Sequence, residues 1–243
     1  MSVHAGPSSY SAALTTEGVV YTWGNGLFGR LGYVSKFHYE PRVVQSLNGI
    51  QIVRIALGYY HVAVVSNEGE VFTWGRGQSG QLGSGHIIAE DSPAKVSTNL
   101  EGYFIIDASC GETHSAALSD KGDMFTWGSG NLGQLGHGDM LRQSLPLRVA
   151  AFDEMFVKAI CCGKSHTSAI TANGNLYTWG SNEFSQLGRF TQQSYLFLRS
   201  TSTSGSGFSS AKTSPSMVYP SHTLNAPLSK GSNSSAGEAS LGP

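Results

Sequence analysis

Three histidines recurring at one place are the side chains best suited to acid–base or metal chemistry: His61 in Gly58-Tyr-Tyr-His61, His114 in Gly111-Glu-Thr-His114 and His166 in Gly163-Lys-Ser-His166. With Cys161 and Cys162 close to His166, they could imitate a zinc set, which needs N and S donors converging on one ion. Their intervals argue against convergence. Each stands thirteen residues before a tryptophan, Trp74, Trp127 or Trp179, and Tyr10 holds the same place before Trp23. Equivalent positions of successive repeats are carried apart by the repeat itself, so no three of these rings can meet. Cys110 and His114 reproduce the interval of Cys162 and His166 without a second cysteine, which favours buried small-residue packing for the thiols. Hydrogen bonding within each unit is the expected role of the histidines.

A phosphate site is the second chemistry the residue types suggest. Gly24-Asn-Gly26-Leu-Phe-Gly29, Gly75-Arg-Gly77-Gln-Ser-Gly80 and Gly128-Ser-Gly130-Asn-Leu-Gly133 all have the form Gly-x-Gly-x-x-Gly. Binding phosphate this way requires each run to open a helix whose N–H groups face the ligand. Here another strand follows within a few residues, and the fourth copy, Gly180-Ser-Asn-Glu-Phe-Ser185, drops the pattern. These glycines are expected to serve turns. No Ser-His-Asp, paired-carboxylate or Cys-His arrangement stands outside the repeat spacing, so no catalytic residue, cofactor or metal is assigned and the chain reads as non-enzymatic.

The elements behind these residues are indexed by the tryptophans. Tyr21-Thr22-Trp23-Gly24 returns as Phe72-Thr73-Trp74-Gly75, Phe125-Thr126-Trp127-Gly128 and Tyr177-Thr178-Trp179-Gly180, at separations of 51, 53 and 52 residues. A Leu-Gly pair follows each tryptophan at a fixed eight residues: Leu31-Gly32, Leu82-Gly83, Leu135-Gly136 and Leu187-Gly188. Every unit offers four short strands. The first contains the tryptophan, with Phe72 and Trp74 on one face and Val71 and Thr73 on the other. The second lies at Pro-x-x-Val, as in Pro41-Arg-Val-Val44 and Pro93-Ala-Lys-Val96, where proline suits a strand's beginning. The third is Ile52 to Ala56 and its copies. The fourth, such as His114-Ser-Ala-Ala-Leu118, is rich in Ala and Ser and fits a crowded inner position. Four strands on a period near 52 predict an all-β fold, a β-propeller.

Three whole units are expected at about 18–69, 70–122 and 123–174, with partial units at 1–17 and 175–199. The first partial unit is recognised because Ser11-Ala-Ala-Leu14 matches Ser115-Ala-Ala-Leu118. In the last, the second strand shrinks to Tyr195-Leu-Phe-Leu198. The ring is therefore incomplete or atypically closed. Residues 200–243, rich in Ser, Thr, Gly and Asn, are expected to be disordered, and Ser214-Pro215 within them reads as ordinary composition and not as a modification site.

Composition removes other classes. Fifteen basic residues are scattered among 16 acidic ones for a net charge of -1, which disfavours nucleic acid as a partner. No run approaches the roughly 20 apolar residues of a membrane span, and no basic start with an apolar run marks a signal peptide. Three cysteines, Cys110, Cys161 and Cys162, without framework spacing suit a reduced interior, so an intracellular, cytoplasmic or nuclear location is expected.

Repeats of Tyr-Thr-Trp-Gly, then Gly-x-Leu-Gly, then Cys-Gly-x-x-His resemble the regulator-of-chromosome-condensation repeat family over about residues 1–195, most fully in Phe125 to Asp139. The resemblance implies propeller blades of about 50 residues. It also implies two kinds of work: recognition of a protein partner, or nucleotide exchange on a small Ran-like GTPase through an inserted wedge. Near-constant spacing leaves little room for such a wedge. Plant ultraviolet-B receptors of this fold carry extra tryptophans at a dimer face, whereas this sequence has only the four framework positions. The favoured function is a scaffold whose variable loops meet a protein, with Tyr33, Phe37, His38, Tyr39, His86, Asp91, Asp139 and Arg142 as candidate contacts. Open sheet edges also point to self-association.

Overall fold

The computed structural model describes residues 1–188 and the strand 198–200, all within one compact unit, Met1–Gly207. The Ser-rich tail beyond 200, Ser214-Pro215 and the Tyr195 to Phe197 part of the expected last strand lie outside the described residues. Four antiparallel sheets of four strands each account for the fold. The first holds β1 (Ser2–Ala5), β2 (Tyr10–Leu14), β3 (Val20–Asn25) and β4 (Phe37–Val43). The second holds β5 (Ile52–Leu57), β6 (His61–Ser66), β7 (Val71–Gly75) and β8 (Glu90–Lys95). The third holds β9 (Ile105–Cys110), β10 (His114–Ser119), β11 (Met124–Gly128) and β12 (Gln143–Arg148). The fourth holds β13 (Val157–Cys162), β14 (His166–Thr171), β15 (Leu176–Gly180) and β16 (Leu198–Ser200). Helical structure among the described residues is confined to 3-10 turns at Leu27–Gly29, Gln45–Leu47 and Ala150–Phe152.

Each sheet straddles the repeat boundaries drawn from the tryptophans. The last two strands of one unit, β5 and β6, pair with the first two of the next, β7 and β8. The N-terminal stretch that matches the end of a unit thus supplies β1 and β2 to a whole sheet, and β16 completes the fourth by pairing Leu198 with Thr178. Alternation and turn residues specify the hairpins; which hairpins share a sheet is decided by the ladder bonds between them.

Packing runs in series, β2 against β5, β5 and β6 against β9, and β9 and β10 against β13, and among the described residues the array does not close into a ring. The first strands therefore occupy the edge where the sheets converge. The Ala- and Ser-rich strands β6 and β10 lie one place further out, buried along their whole length, so crowding comes from the sheets pressed on both faces. Proline also differs from expectation. Pro41, Pro93 and Pro146 sit inside the outer strands β4, β8 and β12, not at their starts. Pairing slips there: Thr73 meets Ala94 and Gly75 meets Glu90, leaving Pro93 in the bulge, where its missing N–H removes no ladder bond.

Both faces of the inner sheets are buried, as the alternation requires. Phe72 and Trp74 pack with Leu14, Val20 and Leu31 of the preceding sheet, while Val71 and Val65 turn the other way onto Ala117, Phe125 and Trp127. Leu118 and Met124 repeat the arrangement against Val157, Ala169 and Trp179.

Candidate interaction surface

The seams between sheets hold the loops that could meet a partner, and the tryptophans build them. Trp74 Nε1 donates to the Arg30 carbonyl at 3.0 Å, Trp127 Nε1 to that of Gln81 at 2.8 Å and Trp179 Nε1 to that of Gln134 at 3.0 Å, each across a seam into the preceding sheet's loop. Inside each sheet the threonine beside the tryptophan ties down the next carbonyl of its own loop: Thr22 to Leu31 at 2.6 Å, Thr73 to Leu82 at 2.7 Å, Thr126 to Leu135 at 2.7 Å and Thr178 to Leu187 at 3.0 Å. The constant eight-residue interval follows. A loop one residue longer would miss one of its two anchors. Gly83 lets the indole approach, since a Cβ there would lie 2.9 Å from Trp127 Nε1 and its φ is +73°.

The histidines belong to the same seams. His61 Nε2 lies 2.8 Å from Ser115 Oγ of the next sheet, and His114 Nε2 lies 2.9 Å from Thr167 Oγ1 of the one after. The expectation of bonding within each unit is thus corrected, because the β6 and β10 side chains point across the interface and their in-sheet neighbours are paired by backbone. Ser115 Oγ gives its single proton to the Gln81 carbonyl at 2.8 Å, and Thr167 Oγ1 gives its own to that of Gln134 at 2.8 Å. Each imidazole must then be the donor, with hydrogen on Nε2 and a lone pair on Nδ1. Those Nδ1 atoms of His61 and His114 are buried without a partner. Burial, reinforced by the next histidine along, pushes both rings down to about 3, so they are neutral at physiological pH. His166, half-buried, is lowered by burial as well. Tyr10 does the first seam's work with a hydroxyl, donating to the Gly58 carbonyl at 2.7 Å.

Burial likewise raises the thiols, Cys110 to about 12 and Cys162 well above its ordinary value, so neither is a thiolate near neutrality. Cys161 is exposed and Cys162 partly buried on alternate faces of β13.

The loops 26–36, 76–89 and 129–142 leave the tryptophan strands at one end of the sheets. The short turns 58–60, 111–113 and 163–165 share that end, because the strands alternate in direction. Phe37, His38 and Tyr39 stand there on β4, with Ser9, Gly24 and Asn25, around a hollow of about 270 Å³. Phe37 is 50% and Tyr39 92% exposed. Tyr33 turns inward instead, its hydroxyl donating to the Thr22 carbonyl at 2.9 Å under the Arg42 guanidinium, 4.6 Å from its ring. His86 and Arg142 are exposed. Asp139 shapes its own turn by accepting from the Leu141 amide at 3.0 Å, and Asp91 packs against Gly29 of the preceding sheet's loop.

Sequence reasoning passed over a neighbouring cluster on the same rim. Arg30 occupies the place of Gln81 and Gln134 but is a buried cation, donating to the carbonyls of Leu27, Ser8 and Tyr59 at 2.9, 2.9 and 3.1 Å. Phe28 stands edge-on to Tyr60 with centroids 5.7 Å apart, and Arg76 covers both rings at 5.1 and 5.3 Å. The signal was there: an arginine at the one repeat position where its copies carry glutamine.

A series of four-stranded sheets sealed by repeated indole and imidazole bonds, with its variable loops gathered at one end, defines a β-propeller repeat domain. The chain belongs to the RCC1-like domain family, whose model matches residues 1–237. It is similar to the ultraviolet-B receptor UVR8 of Arabidopsis thaliana, 37% identical over 191 residues, 78% of this chain and 43% of that protein. It is similar also to the E3 ubiquitin-protein ligase HERC2 of Mus musculus, 36% identical over 180 residues, 72% of this chain and 4% of that one. Human WBSCR16 superimposes with a TM-score of 0.74 at 29% identity over 83% of this chain and 52% of its own. Yeast RCC1 (Prp20), solved bound to Kap60, gives 0.69 at 24% identity over 82% of this chain and 48% of its own, a likeness of fold. The chain thus spans less than half of UVR8 and a small part of HERC2.

Proposed function

We propose that this chain is a non-enzymatic scaffold that presents its rim loops to a protein partner inside the cell. The observation that carries the reading is the contrast between seam and rim. Trp74, Trp127, His61 and His114 are wholly buried and bonded across interfaces, which fixes the loop bases, while Phe37 and Tyr39 stand exposed on β4 and Phe28 and Arg76 pack on each other and on Tyr60 at the same rim. Aromatic and arginine side chains on a rigid support are the usual anchors of protein interfaces, because they bury large area with little loss of side-chain freedom.

The test is photo-crosslinking in cells, with a photoreactive phenylalanine analogue replacing Tyr39 or Phe28 on the rim, or Phe104 at the opposite end. A discrete protein adduct from Tyr39 or Phe28 and none from Phe104 supports the reading; the reverse pattern overturns it. Nucleotide release from a panel of small GTPases separates the other reading, since acceleration by substoichiometric chain would replace a passive scaffold with an exchange factor.

A further inference from the structure

One rim loop of the four departs from its copies. In the other three the glutamine side chain folds back on its own loop: Gln81 Oε1 accepts from the Ser79 amide at 2.9 Å, Gln134 Oε1 from that of Leu132 at 2.8 Å and Gln186 Oε1 from that of Phe184 at 2.8 Å. Arg30 holds the same place, and a guanidinium has no acceptor atom, so the Phe28 amide cannot make that bond. The backbone differs there too. Phe28 stands at φ +64° and ψ +21°, a left-handed conformation that Ser79, Leu132 and Phe184 do not adopt and that is costly for an aromatic residue. Phe28 is 43% exposed and rests on Tyr60 of the adjacent sheet.

The arginine also buries a charge. It is 2% exposed, its guanidinium lies 5.4 Å from the centres of both the Tyr10 and Tyr60 rings, and its printed bonds go to carbonyls alone. Burial lowers its pKa, the direction expected of a cation held out of water. Among the described residues Arg30 Nη2 has no acceptor, and neither Arg30 nor Arg76 has a carboxylate partner. Arg76 bonds through Nε to Gln78, which leaves both of its Nη groups free among those residues. Segments 26–36, 58–60 and 76–89 around the cluster carry Arg30, Lys36 and Arg76 with no Asp or Glu, in a chain whose net charge is -1. Past them, Glu90 lies 3.7 Å from His86 and Asp91 packs on Gly29. A missing loop bond, a left-handed Phe28 and a buried cation are three costs that the glutamine of the other copies avoids.

We propose that Arg30, Arg76 and the Phe28–Tyr60 ring pair receive a carboxylate-rich segment of the protein partner. Arg76 offers a free guanidinium fork to an Asp or Glu side chain at the surface, a match of planar groups. Arg30 supplies a second uncompensated charge from beneath the rings, where a low dielectric strengthens its pull. Charge complementarity selects the acidic occupant, since the patch holds cations and no anion of its own. The inference rests on the rim reading and names the chemistry that the rim would recognise.

Fluorescence anisotropy on the 243-residue chain at low ionic strength, with labelled hexaglutamate as the probe, tests it. Hexaglutamate should bind and hexalysine should not. Arg76→Gln and Arg30→Gln should each weaken binding at least about tenfold, as the loss of a charged hydrogen bond does, while Lys121→Gln at the opposite end leaves it unchanged. Arg30→Gln should also raise the melting temperature by about 2 °C or more, because it restores the loop of the other copies and removes the buried charge. Absence of binding, binding that either arginine variant leaves intact, or a lower melting temperature for Arg30→Gln overturns the proposal. So does inorganic phosphate displacing the probe at lower concentration than unlabelled hexaglutamate, which would assign the patch to a phosphorylated segment. A photo-adduct from Tyr39 in cells alongside any of these failures leaves the rim reading standing, so the two fail separately.

Discussion

Replacing His61 and His114 together by glutamine should remove a large part of the chain's acid sensitivity. Both rings are pushed down to about 3 in the folded state, against an unfolded value near 6.5. The unfolded chain therefore binds more protons, and the stability these groups contribute is complete above about pH 6.5 and lost as pH falls toward 3. At pH 5 each ring costs about 2 kcal/mol, 1.36 kcal/mol for each of about 1.5 pH units, and the pair about 4 kcal/mol. That figure depends on the unfolded value alone so long as the folded one lies well under 5. Glutamine keeps an N–H donor for Ser115 and Thr167 but has no proton to gain. Urea unfolding followed by tryptophan fluorescence, at steps from pH 7.5 to 5, reads the effect because three of the four indoles are buried in the seams. The wild type should lose about 4 kcal/mol more than the double variant over that span. His137 and His166, also lowered by burial, titrate in the same direction and remain in both proteins, so the difference isolates the pair. Equal slopes for the two proteins would refute the assignment of buried, neutral, Nε2-protonated rings.

Further outcomes follow from the seam geometry. Trp127→Ala should destabilise by about 3–5 kcal/mol in chemical unfolding, because a fully buried indole leaves a cavity and takes away one of the two hydrogen bonds that the Gln81 carbonyl accepts. Ser115→Ala interrupts the path from His61 to Gln81 and strands a buried N–H donor, for a loss of about 1–3 kcal/mol in the same assay. Gly83→Ala places a methyl 2.9 Å from Trp127 Nε1 on a backbone at φ +73°, and should lower stability by more than about 1 kcal/mol, with a red shift of the tryptophan emission. Tyr39→Ala, at a side chain 92% exposed, should leave the melting temperature within about 1 °C while abolishing partner capture.

Much of the molecule was legible from spacing alone. Period-two alternation around each tryptophan specified strands, and tetrads near 52 residues apart specified a repeat that can bury its faces only against copies of itself. Chemical roles for the histidines, thiols and glycine runs could be set aside because repeats separate equivalent side chains. The phase of the sheets was another matter: a hairpin pattern is the same whichever neighbour completes the sheet, and ladder bonds between distant strands make the choice. The same holds for His61 and His114. Their types and intervals signal a repeated hydrogen bond, but whether that bond stays inside a sheet or crosses to the next depends on which face of the strand meets another sheet. Arg30 and Phe28 show the limit most sharply, since a cation at a glutamine place becomes a rim feature only when Tyr60 and Arg76 arrive from the adjacent sheet. Local sequence determined the elements and their repetition, because alternation and turns act over a few residues; the seams, and every surface built on them, were decided by contacts some 50 residues apart, which only the packed structure brings together.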